Sequence, residues 1–201
     1  KHPGIPLYFV GVSMGGAVAM LAMTQKFAGK SPADGAVLVA PAVWGRRHMN
    51  VFQRSALWFF SHTVPWFPLT GQGLNIKPSD NIPMLRALGR DPLVLKQSRV
   101  DSVHGLVDLM DLAFAAAPKL TSPTLALYGE KDEIVPAGPS FEVLKLMARR
   151  KATRVAVYAG GYHMLLRGLK ARTVLGDIVA WIENTASPLP SKADLAWVET
   201  R

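Results

Sequence analysis

The sequence predicts an α/β fold, a parallel sheet with crossover helices, and three observations carry that prediction. Four short apolar, β-prone runs open the segments 6–12, 35–43, 123–136 and 153–166, and stretches of helical composition lie between them. The first run meets its helix across a glycine-rich turn that holds Ser13. The 201 residues are 49% hydrophobic and 18% charged, enough for one domain with a sizeable core and neither disordered nor fibrous.

The first element needs the most justification, because residues 5–23 carry no charged side chain. A membrane span needs about 20 apolar residues, and Lys1, His2 and the Ala17-Val18-Ala19 triplet imitate a signal peptide. Composition favours a strand followed by a helix. "PLYFVGV" (6–12) is β-prone through Tyr, Phe and Val. "GGAVAMLAMTQKF" (15–27) is rich in Ala and Met, and its apolar spacing suits a helix. The Gly and Ser residues within 11–16 would weaken a span at its centre. The turn Gly11-Val12-Ser13-Met14-Gly15 has the form G-x-S-x-G. Such a turn exposes the serine hydroxyl at the carboxyl edge of a sheet, above a helix N-terminus, with small residues two before and two after it admitting neighbouring backbone. The backbone N–H of Met14 would then point at a developing oxyanion.

A nucleophilic serine needs a base, and the base needs an orienting acid. "GAVLVAPAV" (35–43) reads as a buried strand ended by Pro41. "PTLALYGEKDEIVP" (123–136) is a strand followed by a polar turn with Glu130, Asp132 and Glu133, and "TRVAVYAGGYHMLL" (153–166) is a strand that leads through Gly160-Gly161 to His163. Helices are expected at about 15–27, 139–150 and 171–184. Ser13, Asp132 and His163 each follow the carboxyl end of a strand, where open α/β sheets carry their sites, and they occur in the order Ser, Asp, His. The bland alternatives are a serine that merely turns the chain, an Asp132 that only shapes its turn while Glu130 or Glu133 supplies the acid, and a satisfied core histidine. His2, His48, His62 and His104 have no comparable position and read as structural or surface residues. There is no cysteine, no zinc-protease histidine pair and no phosphate loop, so neither metal nor cofactor is expected.

"GVSMGG" (11–16), "LYGEKDEIVP" (127–136) and "YAGGYHMLL" (158–166) together resemble the α/β-hydrolase fold. Within it they are most similar to the monoacylglycerol lipase and lysophospholipase-like branch, grouped with serine aminopeptidase-like hydrolases. The resemblance extends from about residue 6 to residue 183. It implies Ser13 as nucleophile, His163 as general base and acid, and Asp132 as orienting carboxylate. The chain departs from the family at Val12, where His is more usual, and at Met164, where Glu often follows the histidine. The family also builds about half of its sheet, and a second oxyanion donor, ahead of the serine turn. Ser13 lies close behind Lys1, so the chain is expected to be a carboxyl-terminal portion that leaves an apolar strand edge open.

About 80 residues separate the strand that ends at Pro41 from the one that starts at Pro123, far more than a loop needs. The resemblance places the family's helical cap here. Trp44, Phe52, Leu57, Trp58, Phe59, Phe60, Trp66 and Phe67 crowd its first part, "TGQGLNIKPSDN" (70–81) is polar, and "DSVHGLVDLMDLAFAAAPKL" (101–120) is an amphipathic helix. An apolar cap lining suits an acyl chain. Trp44, Trp58, Phe59 and Val135 are the candidate substrate contacts, and outer aromatics can rest on a membrane surface. The competing reading is that these aromatics only pack the cap onto the body. The expected divisions are 1–43 for the serine-turn part of the core, 44–119 for the cap, 120–185 for the rest of the core and 186–201 for a tail.

The net charge is +9, and eight Lys and Arg residues but no Asp or Glu lie within 143–176. A solvated basic face is the simplest account, with attraction to anionic lipid or an acidic partner as the functional one. No aromatic-rich basic motif accompanies the charge, so nucleic acid is not an expected partner. The expected activity is ester hydrolysis through an acyl-enzyme, with a monoacylglycerol, lysophospholipid or other ester as substrate. The alternatives are an acyltransferase or peptidase on the same fold, a non-catalytic interaction domain, or a membrane-anchored protein. The expected location is cytoplasmic or at a membrane surface.

Overall fold

The structure, a computed structural model, describes residues 4–25, 30–71, 73–149 and 152–195. Along the chain run β1 (Tyr8–Val12), α1 (Met14–Thr24), β2 (Gly35–Val39), α2 (Val51–Thr63), β3 (Pro68–Thr70), α3 (Ile82–Arg90), β4 (Gln97–Arg99), α4 (Val100–Ala116), β5 (Thr124–Gly129), α5 (Ala137–Ala148), β6 (Thr153–Tyr158) and α6 (Ala171–Glu183). The main sheet has the order β1-β2-β5-β6 and is parallel throughout. Its register sets Val12 beside Val39, Val39 beside Leu127 and Gly129 beside Tyr158, so the carboxyl ends line up along one edge.

The central strands are buried on both faces, which is why they read as continuous apolar runs. Side chains alternate between two cores. Ala36, Leu38, Ala126 and Tyr128 face one, built with α1, α4 and α5. Val37, Val39, Leu125 and Leu127 face the other, built with Val174, Ile178 and Trp181 of α6. Of the expected tail, 186–201, residues 196–201 lie outside the described residues; within 186–195, Leu189 and Ala193 enter this second core, and Arg154 pairs with the buried Asp194 at 2.6 Å. The sequence signal was weak because Pro188 and Pro190 flank Leu189, the only large apolar residue of this stretch before Leu195.

α1 ends at Thr24, where Gln25 turns to an extended conformation; Phe27, at the expected end of this helix, lies outside the described residues, as does Arg150 at the expected end of α5. The segment between β2 and β5 holds α2, α3, α4 and a small antiparallel pair of β3 with β4. α2 starts on a reciprocal cap, with the Asn50 side chain accepting from Gln53 N at 2.8 Å and the Gln53 side chain accepting from Asn50 N at 3.0 Å. Arg46 ties the entry of this segment to α4 through Asp108 at 2.6 Å and Asp111 at 2.7 Å, and these carboxylates raise its pKa further above its usual value. Among the described residues no helix is long and apolar enough to cross a membrane; residues 5–23 divide into β1, the turn and α1.

Candidate active site

Ser13 stands between β1 and α1 with φ 51° and ψ −117°, a conformation that side-chain-bearing residues rarely adopt. Backbone bonds hold it there. Its N–H donates to Val39 O at 2.9 Å, and its carbonyl accepts from Gly16 N at 2.9 Å and Ala42 N at 3.0 Å. Such strain persists only where the surroundings over-determine it, and it gathers at functional sites. Gly11 is needed because a Cβ there would lie 2.3 Å from Gly15 O. The glycine two residues after the serine has no such role, since a Cβ on Gly15 meets nothing within 4 Å. Gly16 is the second tight position, with Pro41 Cβ 2.9 Å from its virtual Cβ. The expectation of close packing two residues on either side thus holds before Ser13 and shifts by one residue after it. Met14 is the first residue of α1, where backbone N–H groups lie outside the helical hydrogen-bond ladder.

At the end of β5, Asp132 is shaped by its own turn. Its Oδ1 accepts from Ile134 N at 2.9 Å and Val135 N at 3.0 Å, which leaves Oδ2 facing His163 Nδ1 at 2.8 Å. Both side chains are buried. With the Nδ1–H donated to Asp132, the ring presents Nε2 as its open acceptor. The other two acids of the turn are engaged elsewhere: Glu130 accepts from Gly160 N at 3.2 Å and Glu133 from Lys77 N at 2.6 Å. The structure therefore brings Asp132, and neither glutamate, to the histidine. Ser13 lies at the same sheet edge, with two strands, β2 and β5, between β1 and β6, and among the described residues no hydrogen bond joins its hydroxyl to His163.

The histidine loop is locked against β5. Lys131 N donates to Gly161 O at 2.8 Å, and a Cβ on Gly129 would lie 2.5 Å from that same oxygen. Tyr128 braces the acid turn from below, donating its hydroxyl to Val135 O at 3.1 Å. Burial, reinforced by the Asp132 charge, pushes the Tyr128 pKa up to about 12.

Sequence reasoning missed a clasp. The polar stretch 70–81 crosses to the histidine loop: Met164 N donates to Pro78 O at 2.9 Å, Leu169 N to Asp80 Oδ1 at 2.9 Å and the Asn81 side chain to Arg167 O at 3.1 Å. Its only signal was the run Pro78-Ser79-Asp80-Asn81, whose short polar side chains favour contacts with backbone. The four proposed substrate contacts are not gathered in one place. Trp44 packs against the first core and Val135 is buried beside Asp132, whereas Trp58 and Phe59 stand exposed on α2 and line an open groove with Arg46 and Arg54.

Comparison with known proteins adds a family to this geometry. The profile described as "Serine aminopeptidase, S33" matches residues 1–169. The chain belongs to this family of hydrolases. The chain is 28% identical over 205 residues to human monoglyceride lipase, covering 93% of the chain and 63% of that protein. It is 26% identical over 195 residues to the monoacylglycerol lipase of Mycolicibacterium smegmatis, covering 90% and 63%. The chain thus spans about 63% of the length of these curated relatives. Among solved structures, the monoacylglycerol lipase of Paleococcus ferrophilus superposes with a TM-score of 0.72 at 21% identity, over 87% of this chain and 67% of that one. A soluble variant of the Saccharomyces cerevisiae monoglyceride lipase, in complex with a substrate analog, gives 0.73 at 19% identity, over 92% and 64%. These two likenesses show the α/β-hydrolase fold.

Proposed function

We propose that this chain carries the reacting residues of a serine hydrolase that cleaves carboxylic esters of lipids. The observation that carries the reading is the buried Asp132–His163 pair, 2.8 Å apart, at the sheet edge where a strained Ser13 ends β1. Ser13 Oγ attacks the ester carbonyl as His163 Nε2 takes its proton, and the Met14 N–H donates to the oxyanion. His163 returns the proton to the departing alcohol, leaving Ser13 acylated; it then takes a proton from water as the water oxygen attacks the acyl carbonyl, and gives that proton to Ser13 Oγ as the acid leaves. Asp132 keeps the Nδ1–H tautomer and stabilises the imidazolium.

The substrate class is a monoacylglycerol or a similar single-chain lipid ester. The similarity to the human and mycobacterial lipases supports it, as do the exposed aromatic side chains of α2, Phe52, Trp58, Phe59 and Phe60. With Arg54 beside Trp58 and Phe59, α2 rests on an anionic lipid surface.

A fluorophosphonate probe tests the reaction. The protein is expected to be labelled and Ser13→Ala to stay unlabelled; a chain-length series of glycerol and nitrophenyl esters then reads the acyl preference. Equal labelling of both proteins would refute the catalytic reading, and a preference for acetate over decanoate would refute the lipid one.

A further inference from the structure

Behind the histidine loop, on the β6 side of the sheet, lies a cavity of about 290 Å³. Tyr162 and Met164 of the loop line it, with Lys170 and Thr173 from the start of α6 and Ser191 and Lys192 from the turn that follows. Val157, Leu165 and Val174 supply apolar wall. Ser13, Asp132 and His163 are not among its lining residues, so it is separate from the reacting groups.

Its polar groups sort into spent and unspent. Tyr158 donates its hydroxyl to Asp177 at 2.8 Å, and Ser191 donates both its hydroxyl and its N–H to the same carboxylate. That accounts for the charge of Asp177, which is 0% exposed. Asp80, also on the wall, accepts from Leu169 N at 2.9 Å. Lys170 and Lys192 differ: among the described residues neither ammonium has an ion pair or hydrogen bond. Lys192 moreover adopts φ 60°, a left-handed position that normally falls to glycine or asparagine. Lys170 and Lys192 are exposed at the cavity mouth and outnumber the one wall carboxylate without a buried hydroxyl partner, Asp80, so the rim is net cationic while Val157, Leu165 and Val174 are apolar, which fits a ligand with one anionic end and one apolar end. At about 30 Å³ for each water-sized group, the cavity holds roughly ten heavy atoms.

We propose that this cavity binds a linear monocarboxylate of about eight carbons, with its chain against Val157, Leu165 and Val174 and its carboxylate between Lys170 and Lys192. The ligand class matches the acid that the proposed hydrolysis would release, but binding here needs neither Ser13 nor that reaction. Tyr162 and Met164 flank His163 in sequence, so an occupant touches the loop that holds the imidazole against Asp132.

Methionine-methyl NMR tests the site. Of the eight methionines, Met164 lines the cavity and Met14 sits beside Ser13, so the two places report separately. Octanoate is expected to shift the Met164 resonance, assigned with Met164→Leu, and to do so equally in Ser13→Ala. Octanol and octylammonium are expected to bind at least tenfold more weakly. The double variant Lys170→Ala/Lys192→Ala should weaken octanoate at least tenfold while the other methyl resonances stay in place, since both lysines are exposed. Thr173→Trp, which fills the cavity from an exposed position, should abolish the shift. An unmoved Met164 signal, a shift confined to Met14, or equal affinity for octanoate and octanol overturns the proposal. Loss of fluorophosphonate labelling bears on the hydrolase reading alone, because the methyl shift does not depend on it.

Discussion

At the scale of single residues, the site depends on atoms that are absent. Gly129 lets β5 end against the carbonyl of Gly161, and any side chain there must move backbone rather than a flexible tip. Gly129→Ala is expected to cost roughly 1–3 kcal/mol of stability and to lower esterase activity by more than the unfolded fraction explains, because the displaced loop carries His163. Urea unfolding combined with rate measurements checks this; a variant that loses stability yet keeps full activity per folded molecule would contradict it. Tyr128 gives a pH dependence. Its pKa is raised to about 12 in the folded protein against an ordinary value of 10, so folding favours the neutral phenol. The associated stability is present in full below the ordinary pKa and is lost as pH climbs towards the folded one. The stability gap between wild type and Tyr128→Phe should therefore narrow between pH 10 and pH 12. Urea midpoints across that window measure the gap, and a constant gap counts against the assignment.

Among elements, the contact that matters most for the site is the clasp between residues 77–81 and the histidine loop. Asn81 serves twice, accepting from Met84 N at 3.2 Å as the cap of α3 and donating to Arg167 O. Asn81→Ala should cost about 1 kcal/mol as a lost helix cap. It should also speed amide exchange at Met164, whose N–H donates to Pro78 O. Native-state hydrogen exchange reads this directly, and unchanged protection at Met164 would separate the clasp from the loop. The Arg46 links to Asp108 and Asp111 do the comparable work on the opposite side of the insertion, fixing its first turn to its last helix.

On the whole-molecule scale, two surfaces stand out among the described residues. There β1 pairs with β2 alone, and Val10 and Val12 are exposed along it. The other surface is the outer face of α2, a helix without a single buried residue in which Phe52 is 80% and Trp58 60% exposed. A helix so apolar and so uncovered is unusual for a surface facing water alone. Trp58→Ser/Phe59→Ser is expected to reduce binding to anionic vesicles at least tenfold while leaving hydrolysis of a soluble nitrophenyl ester within twofold. Co-sedimentation and a solution assay separate the two effects; equal vesicle binding would remove the membrane role of α2.

Much of this was legible in the chain itself. Periodicity and glycine placement decided the strand, turn and helix around Ser13, because backbone that must bend sharply at a side-chain-bearing residue needs room at Gly11. Strand ends located Asp132 and His163, since a parallel sheet lines up its carboxyl edges. What sequence left open was settled by contacts between residues far apart in the chain. Asp132 rather than Glu130 or Glu133 meets the histidine because its turn spends Oδ1 on two local N–H groups and aims Oδ2 outward. The clasp at 77–81, the β3–β4 pair and the burial of Leu189 carry almost no periodic signal, because each is short and satisfied by partners far along the chain. Local pattern therefore determined which groups could react, and only the tertiary fold decided which of them meet.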